Sequence, residues 1–262
     1  MWPLPTSITT GLSTIWVASG LWMGAAVAQP VTPQAAAAPA AVSLALFSSA
    51  ATGEPPPPWR VVGLPKVRKP LTQFDITPIN GRQVLRVQAD RSYGNLVHEL
   101  PNIMLAAGTQ LRWRWRLDEP LLLSDLRQRS GDDTPLKVCL LFDMPLENLS
   151  FVDRNLLRVA RTASGEQLPA ATLCYVWDHA LPSGTLLNNA FTSRLRELVV
   201  DSGEQRLGQW VTHQRDIAAD FRLAFGRESA TVPPLKAVLV GADADNTAGH
   251  SLGYVGDVTL SP

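Results

Sequence analysis

The stretch LRWRWRL concentrates cationic and aromatic side chains, the groups that bind anionic ligands and sugar rings. Side chains alternate between the two faces of a β-strand, so a strand would separate Trp113 and Trp115 from Arg112, Arg114 and Arg116. Because tryptophans bury a large area, we expect them in a core, with the arginines at the outer surface. The guanidinium fork binds carboxylates in pairs, which makes the arginines the better ligand candidates. The alternative is that the tryptophans stack on sugar rings.

A pair of adjacent carboxylates follows Gly131 and precedes an apolar segment. Adjacent carboxylates repel each other and persist where a turn, a cation or arginines hold them. We predict that Asp132 and Asp133 share a ligand site with the three arginines and with Trp177 and Asp178. The alternative is a polar turn in which Asp132 accepts hydrogen bonds from backbone amides.

A second group of oxygen ligands occurs in GADADNTAGHSLGYVGDV, directly after an apolar segment. The candidate ligands of a structural calcium ion are Asp243, Asp245, Asn246 and Asp257, because hard cations prefer carboxylate and amide oxygens. The segment is not an EF-hand, since the glycine and the closing glutamate of that pattern are missing. The alternative is a loop whose acid and amide side chains cap backbone groups. We expect no other cofactor.

Recognisable catalytic motifs, including G-x-S-x-G, H-E-x-x-H and phosphate-binding glycine loops, are absent from the sequence. Carboxylate pairs for glycoside hydrolysis need only meet in space, so the sequence leaves a hydrolase or lyase open. The chain has 23 Lys+Arg and 23 Asp+Glu, a formal net charge of +0. This balance argues against nucleic acid and anionic membrane as partners.

Short apolar segments recur between turn residues and predict an antiparallel β-sandwich. Asn80 and Gly81 tolerate positive φ and predict a tight hairpin. Two segments have helical spacing instead, and we predict helices from about Glu147 to Thr162 and from about Arg215 to Phe225. The apolar stripe predicted for the first helix comprises Leu149, Val152, Leu156 and Val159.

The N-terminal part of the chain has the features of an export signal. Residues 1–28 include an uncharged stretch that ends in an A-x-A arrangement at Ala26 and Ala28, which predicts a mature chain beginning near Gln29. An uncleaved membrane anchor is the alternative. Residues 29–41 form an Ala/Pro-rich tether, and residues 42–262 form a single β-sandwich domain whose first strand is the apolar Val42–Phe47. We therefore expect a periplasmic or secreted protein.

Two cysteines, Cys139 and Cys174, lie within apolar segments typical of buried strands. We interpret them as two separate buried thiols. A single bridge is the alternative if their strands are neighbours in an oxidising compartment.

Several motifs together resemble a bacterial family known as domain of unknown function 3047. They are WRVVGLPKVRKPLTQFDI, GRQVLRVQADRSYGNLVHEL, LRWRWRLDEPL, SGDDTPLKVCLLFD, LCYVWD, RDIAADFRLAFG and ADADNTAGHSLGYVGDVTL, in this order. The resemblance runs from about Phe47 to the C-terminus and implies an exported bacterial protein of no established activity. The two cysteines stand where the family would have ordinary apolar residues. The C-terminal segment also looks like the last two strands of jelly-roll carbohydrate-binding modules.

These observations predict a mainly β protein, a jelly-roll-like antiparallel sandwich with two short helical insertions. The function they favour is non-catalytic binding of a glycan or another cell-envelope ligand. One alternative is an envelope polysaccharide hydrolase or lyase that uses the clustered aspartates and arginines. The other is a purely structural envelope protein.

Overall fold

Two sheets pack face to face in the computed structural model, which describes residues 43–64, 69–165 and 167–261. The strands are β1 (Arg60–Val62), β2 (Gln73–Ile79), β3 (Arg82–Asp90), β4 (Tyr93–Ile103), β5 (Gln110–Glu119), β6 (Thr134–Phe142), β7 (Ala171–Asp178), β8 (Leu186–Asn188), β9 (Leu195–Ser202), β10 (Val211–Asp216), β11 (Leu235–Asp243), β12 (His250–Val255) and β13 (Thr259–Ser261). The helices are α1 (Phe151–Ser164) and α2 (Ile217–Phe225). These elements belong to one unit that spans Pro39–Pro262.

The seven-stranded sheet has the order β1-β4-β11-β6-β7-β9-β8, and the six-stranded sheet has the order β10-β5-β12-β3-β2, with β13 also paired to β5. The pairings are antiparallel except for the parallel pair β7 and β9. The predicted fold class, a jelly-roll-like antiparallel sandwich with two short helices, is confirmed. Among the described residues, no helix is both long and apolar enough to cross a membrane.

The two local sequence signals behave as predicted. Asn80 and Gly81 have φ values of 52° and 76° and join β2 to β3 in a tight hairpin. Trp113 and Trp115 on β5 are 2% and 0% exposed, so the tryptophan face of this strand lies in the core between the sheets. Arg112 is exposed on the opposite face.

Helix α1 begins later than predicted, at Phe151 instead of Glu147. The Ser150 hydroxyl accepts a hydrogen bond from the Asp153 amide and caps the helix, after a short 3-10 turn at Leu146–Asn148. Helix α2 begins at Ile217 instead of Arg215, because Arg215 still belongs to β10.

The orientation predicted for the stripe of α1 was wrong. Only Leu149 of the four stripe residues is buried, whereas Val152, Leu156 and Val159 are 62–66% exposed. The helix buries Leu157 instead. Helical spacing identifies an apolar stripe, but the loops that orient the helix decide which side meets the core.

Two further predictions need correction. Residues 43–47 are not a strand: Leu44 and Phe47 are buried in the core, and a 3-10 turn begins at Phe47. Cys139 and Cys174 are not separate thiols, because β6 and β7 place them directly opposite each other and they form a disulfide, with their Cα atoms 4.0 Å apart. The predicted signal and tether, residues 1–41, lie outside the described residues.

Candidate functional site

The outer face of the seven-stranded sheet carries buried polar side chains among apolar ones. On β9, Leu198 and Val200 belong to the core between the sheets, so Glu197 points to the opposite face. That face is otherwise lined by a second apolar cluster, which comprises Val97, Leu126, Cys139, Cys174, Val176, Val199, Ala237 and Leu239. Glu197 is paired with Cys174 in the register of β7 and β9.

The carboxyl group of Glu197 is nearly without hydrogen bonds. The side chain is 3% exposed, and its Oε1 lies 3.4 Å from the amide nitrogen of Asn189. Its Oε2 is buried and has no hydrogen-bond partner in the described part of the chain. Burial, and then the charge of Asp132, raise the pKa of Glu197 to about 8.

The same amide of Asn189 holds a second carboxyl group. Its Nδ2 donates to the two carboxyl oxygens of Asp132 at 2.9 and 2.8 Å. Asp132 is 7% exposed, and burial raises its pKa to about 6 although the bond from Asn189 lowers it. The side-chain amide of Asn189 therefore contacts two buried carboxyl groups, those of Asp132 and Glu197.

An ion pair lies beside these two carboxyl groups. The ammonium group of Lys137 donates to Asp243 Oδ1 at 2.9 Å and lies 5.5 Å from the centre of the Tyr93 ring. Burial alone would lower the pKa of Lys137, but Asp243 and Tyr93 hold it above its ordinary value. The lysine therefore remains a cation next to Glu197 and Asp132.

Asp133 has a structural role, since protein donors occupy both of its oxygens. It is fully buried and accepts hydrogen bonds from the backbone amides of Asn246 and Thr247 at 3.0 and 2.7 Å, and from the Thr247 hydroxyl. The alternative predicted for the loop of Asn246 was that acidic and amide side chains cap its backbone groups. This loop is capped in that way, but by Asp133, which lies in the loop before β6. Asp133 therefore fixes the β11–β12 loop.

The predicted calcium ligands are only partly together. Oxygens of Asp133, Asp243 and Asp245 lie within 4.8 Å of one another. Asp243 is paired with Lys137, and Asp245 with Lys69. The predicted ligand Asn246 donates its side-chain amide to the Asp132 carbonyl, and Asp257 binds the Ser48 amide and hydroxyl at 2.9 and 2.6 Å.

We expect divalent cations to leave the melting temperature unchanged. A dication at Asp243 and Asp245 would have to displace two ammonium groups that already neutralise these carboxylates. Thermal unfolding with EDTA and with added calcium measures this. A ligand that binds only the native state must stabilise it, so a higher melting temperature in calcium would contradict the expectation.

The six-stranded sheet carries the other candidate site, a cavity of about 620 Å3. The arginines that line it are Arg82, Arg112 and Arg114. Arg114 lies 4.7 Å above the ring of Trp210, whereas Arg82 and Arg112 form no ion pair within the described ranges. The third predicted arginine, Arg116, is paired with Asp118 at 2.6 Å.

The residues predicted to share one site do not converge. Arg112 and Arg114 belong to the six-stranded sheet, whereas Asp132 precedes β6 of the other sheet. Trp177 is 1% exposed in the core, where its indole donates to the Gly203 carbonyl. Asp178 accepts hydrogen bonds from two backbone amides of the loop that follows β7.

Several residues of the two sites were not predicted from the sequence, among them Arg82, Lys137, Asn189, Glu197 and Trp210. One of them left a signal. In RELVV, Glu197 interrupts an apolar strand segment, and acids are rarely buried at such positions unless they are paired.

Sequence comparison places the chain in a family. Residues 57–259 match the model of a family described as Protein of unknown function (DUF3047). The chain belongs to DUF3047. This confirms the resemblance found in the sequence motifs, and no curated protein matches the DUF3047 chain in sequence.

Solved structures with a similar fold include proteins that act on or bind carbohydrates. Endoglucanase 3 of Trichoderma harzianum, from family GH12, is 11% identical with a TM-score of 0.39, and the match covers 79% of the DUF3047 chain and 99% of the endoglucanase. The xyloglucanase domain of NopAA from Sinorhizobium fredii, solved with cellobiose, is 8% identical with a TM-score of 0.40, and the match covers 78% of the DUF3047 chain and 97% of the xyloglucanase domain. The tandem CBM22 domain of Xyn10C from Paenibacillus barcinonensis is 11% identical with a TM-score of 0.34, and the match covers 80% of the DUF3047 chain and 48% of the tandem domain. Likeness at these identities concerns the fold alone.

Proposed function

We propose that this DUF3047 protein is exported and binds an acidic glycan in the cavity of the six-stranded sheet. The observation that carries the proposal is the cavity of about 620 Å3 with three guanidinium groups in its wall. Among the described residues, the one acidic residue in its lining, Asp257, is already bound to Ser48. The cavity therefore has an excess of positive charge.

The charge of the cavity favours an anionic ligand. Arg116, on the same strand as Arg112, is paired with Asp118. Arg82 and Arg112 have no such partner in the described residues, so their donor groups are available to carboxylates. Since the whole chain has a formal charge of +0, attraction to a polyanion would come from this local surface.

The remaining lining groups favour a ligand with hydroxyl groups. Ser48, Thr212 and Thr259 line the cavity with hydroxyls that both donate and accept hydrogen bonds. Gln83 adds a buried side-chain oxygen without a partner among the described residues. A glycan that carries carboxylates, such as a polyuronate, matches the guanidinium and hydroxyl groups together.

The disulfide supports an oxidising compartment, since such bridges are rare where thiols are kept reduced. This agrees with the export predicted for residues 1–28. Export to the periplasm or the medium would place the cavity among cell-envelope and extracellular polysaccharides.

We expect the protein to be retarded in a native gel that contains polygalacturonate and to migrate normally in one that contains dextran. The double substitution Arg82→Ala and Arg112→Ala should weaken retardation by about tenfold or more, because each charge-assisted bond in a partly exposed site contributes about 1 kcal/mol. The matched control is Arg91→Ala with Arg127→Ala, which removes the same charge elsewhere on the surface.

An equal loss of retardation in both double variants would show that the net charge of the protein, and not the cavity, controls binding. Wild-type migration that polygalacturonate leaves unchanged would contradict the proposal and favour a purely structural role. Added salt should weaken the retardation, because it screens exposed charges.

A further inference from the structure

Glu197 is the one residue of β9 whose position packing does not explain. Its neighbours on the same face of the strand, Leu195 and Val199, both pack in the second apolar cluster. The cross-strand partners of Glu197 are Cys174 and Leu187, a disulfide sulfur and an aliphatic side chain. An aliphatic residue at position 197 would complete this surface without any desolvated charge.

Asp201, another buried acid in the described part of the chain, has several partners, which makes the contrast informative. Asp201 is 0% exposed and binds the Trp115 indole, His213 and Arg206. Glu197 has only the 3.4 Å contact with Asn189, and its Oε2 has no partner in the described residues. A buried polar atom without a partner lowers stability, so its retention indicates a role toward a ligand.

A second oxygen without a partner lies on the same face. Asn95 on β4 donates its amide to the Tyr93 hydroxyl at 2.9 Å, while its buried Oδ1 has no partner in the part of the chain that is described. Gly241 makes room for Asn95: a Cβ on that glycine would lie 2.3 Å from Asn95 Oδ1 and 3.0 Å from Lys137 Cε. Two acceptor oxygens near one lysine match a ligand that offers several O–H donors.

The face can be reached from solvent. Asn95, Leu141, Leu187 and Asn189 lie on it and are half-buried, whereas Glu197 and Asp132 lie deeper. A ligand resting on the half-buried residues would therefore lie on the same face as the two carboxyl groups.

The two carboxyl groups differ in the way that acid–base chemistry requires. Asp132 accepts two hydrogen bonds from Asn189, which stabilise a carboxylate. Glu197 accepts one long bond, and with a pKa of about 8 it holds its proton at neutral pH. The charged groups that act on it are Asp132, Lys137 and Asp243.

We propose that Glu197 and Asp132 are a catalytic acid and a nucleophile that hydrolyse a glycosidic bond on the outer face of the seven-stranded sheet. Oxygens of both carboxyl groups lie within 3.4 Å of Asn189 Nδ2, which is too close for a water to act between them and fits direct attack by Asp132. Glu197 gives its proton to the glycosidic oxygen, which takes the bonding electron pair as its bond to the anomeric carbon breaks, and an Asp132 oxygen bonds to that carbon. A water then attacks the same carbon, gives its proton to Glu197 and releases Asp132 as a carboxylate, so one water is consumed for each bond cleaved.

The first test is the accessibility of Glu197 and does not depend on the substrate. Carbodiimides activate protonated carboxyl groups, so a water-soluble carbodiimide with glycine ethyl ester at pH 7 should label Glu197 in the native protein. Peptide mapping measures the label. Asp201 is an internal comparator, because it is buried but paired, and it should remain unlabelled until the protein is unfolded. A native protein that leaves Glu197 unlabelled would show that the carboxyl group is sealed, which overturns the proposal.

The second test measures hydrolysis. Release of reducing ends is measured on soluble polygalacturonate, dextran and chitosan, which cover acidic, neutral and amino sugars. We expect release from at least one polymer, a loss of at least a hundredfold in Glu197→Gln with an unchanged far-UV spectrum, and wild-type rates in the exposed control Glu119→Gln. If no polymer yields reducing ends, the hydrolytic assignment is wrong. Binding at the cavity of the six-stranded sheet is a separate result, since Glu197 lies on the other sheet.

Discussion

Replacing Trp115 with alanine is expected to lower the free energy of unfolding by about 3–5 kcal/mol, the range for large-to-small changes in a core. The side chain is 0% exposed, and its ring packs against those of Trp113 and Trp177 at centroid distances of 5.6 and 6.1 Å. The substitution also removes the indole donor to Asp201, a fully buried carboxylate. Urea unfolding with the disulfide intact measures the change.

Three controls separate the causes. Trp113→Ala should also cost about 3–5 kcal/mol, because this ring is 2% exposed and packs 5.0 Å from Tyr175. Trp115→Phe keeps much of the packing but removes the donor to Asp201, and so isolates the hydrogen bond. Arg112→Ala, on the exposed face of the same strand, should change the free energy by less than about 0.5 kcal/mol. Wild-type stability in the Trp115→Ala variant would contradict the core assignment.

Apart from the fold class, the features that the sequence predicts correctly are local ones. Alternation along β5 is sufficient to separate tryptophans from arginines, and Asn80-Gly81 is sufficient to place a hairpin. The errors arise where one element meets another. The stripe of α1 is apolar but faces solvent, and the disulfide depends on a strand register that spacing along the chain does not contain.

The candidate sites show the same limit. Arg112 and Arg114 were predicted to bind a ligand and do line one cavity, because they share a strand face. Their predicted partners, Asp132 and Asp133, lie on the other sheet, since strand order decides which loops meet. Asp132 and Glu197 come together through Asn189, over a sequence separation that no short motif spans.

Wild-type protein is expected to lose about 3–5 kcal/mol of stability between pH 5 and pH 9 relative to the Glu197→Gln variant. The folded protein raises the pKa of Glu197 from the ordinary 4.5 to about 8. A raised carboxyl pKa means that the folded state keeps a proton that the unfolded state releases. The stabilisation of the folded state by this proton is therefore complete below about pH 4.5 and is lost as the pH rises through about 8. Each unit of difference in pKa corresponds to about 1.36 kcal/mol.

The measurement is the free energy of unfolding of both proteins at several pH values, with Glu119→Gln as the control for a carboxyl group at the surface. The difference between wild type and Glu197→Gln should grow with pH, while the control should follow wild type throughout. Parallel curves for wild type and Glu197→Gln would mean that Glu197 is solvated in the native state. A growing difference would show that the protein keeps at position 197 an acid that lowers its stability above pH 5. Because glutamine or leucine would avoid that cost, such a difference would support the proposed role of the Glu197 proton.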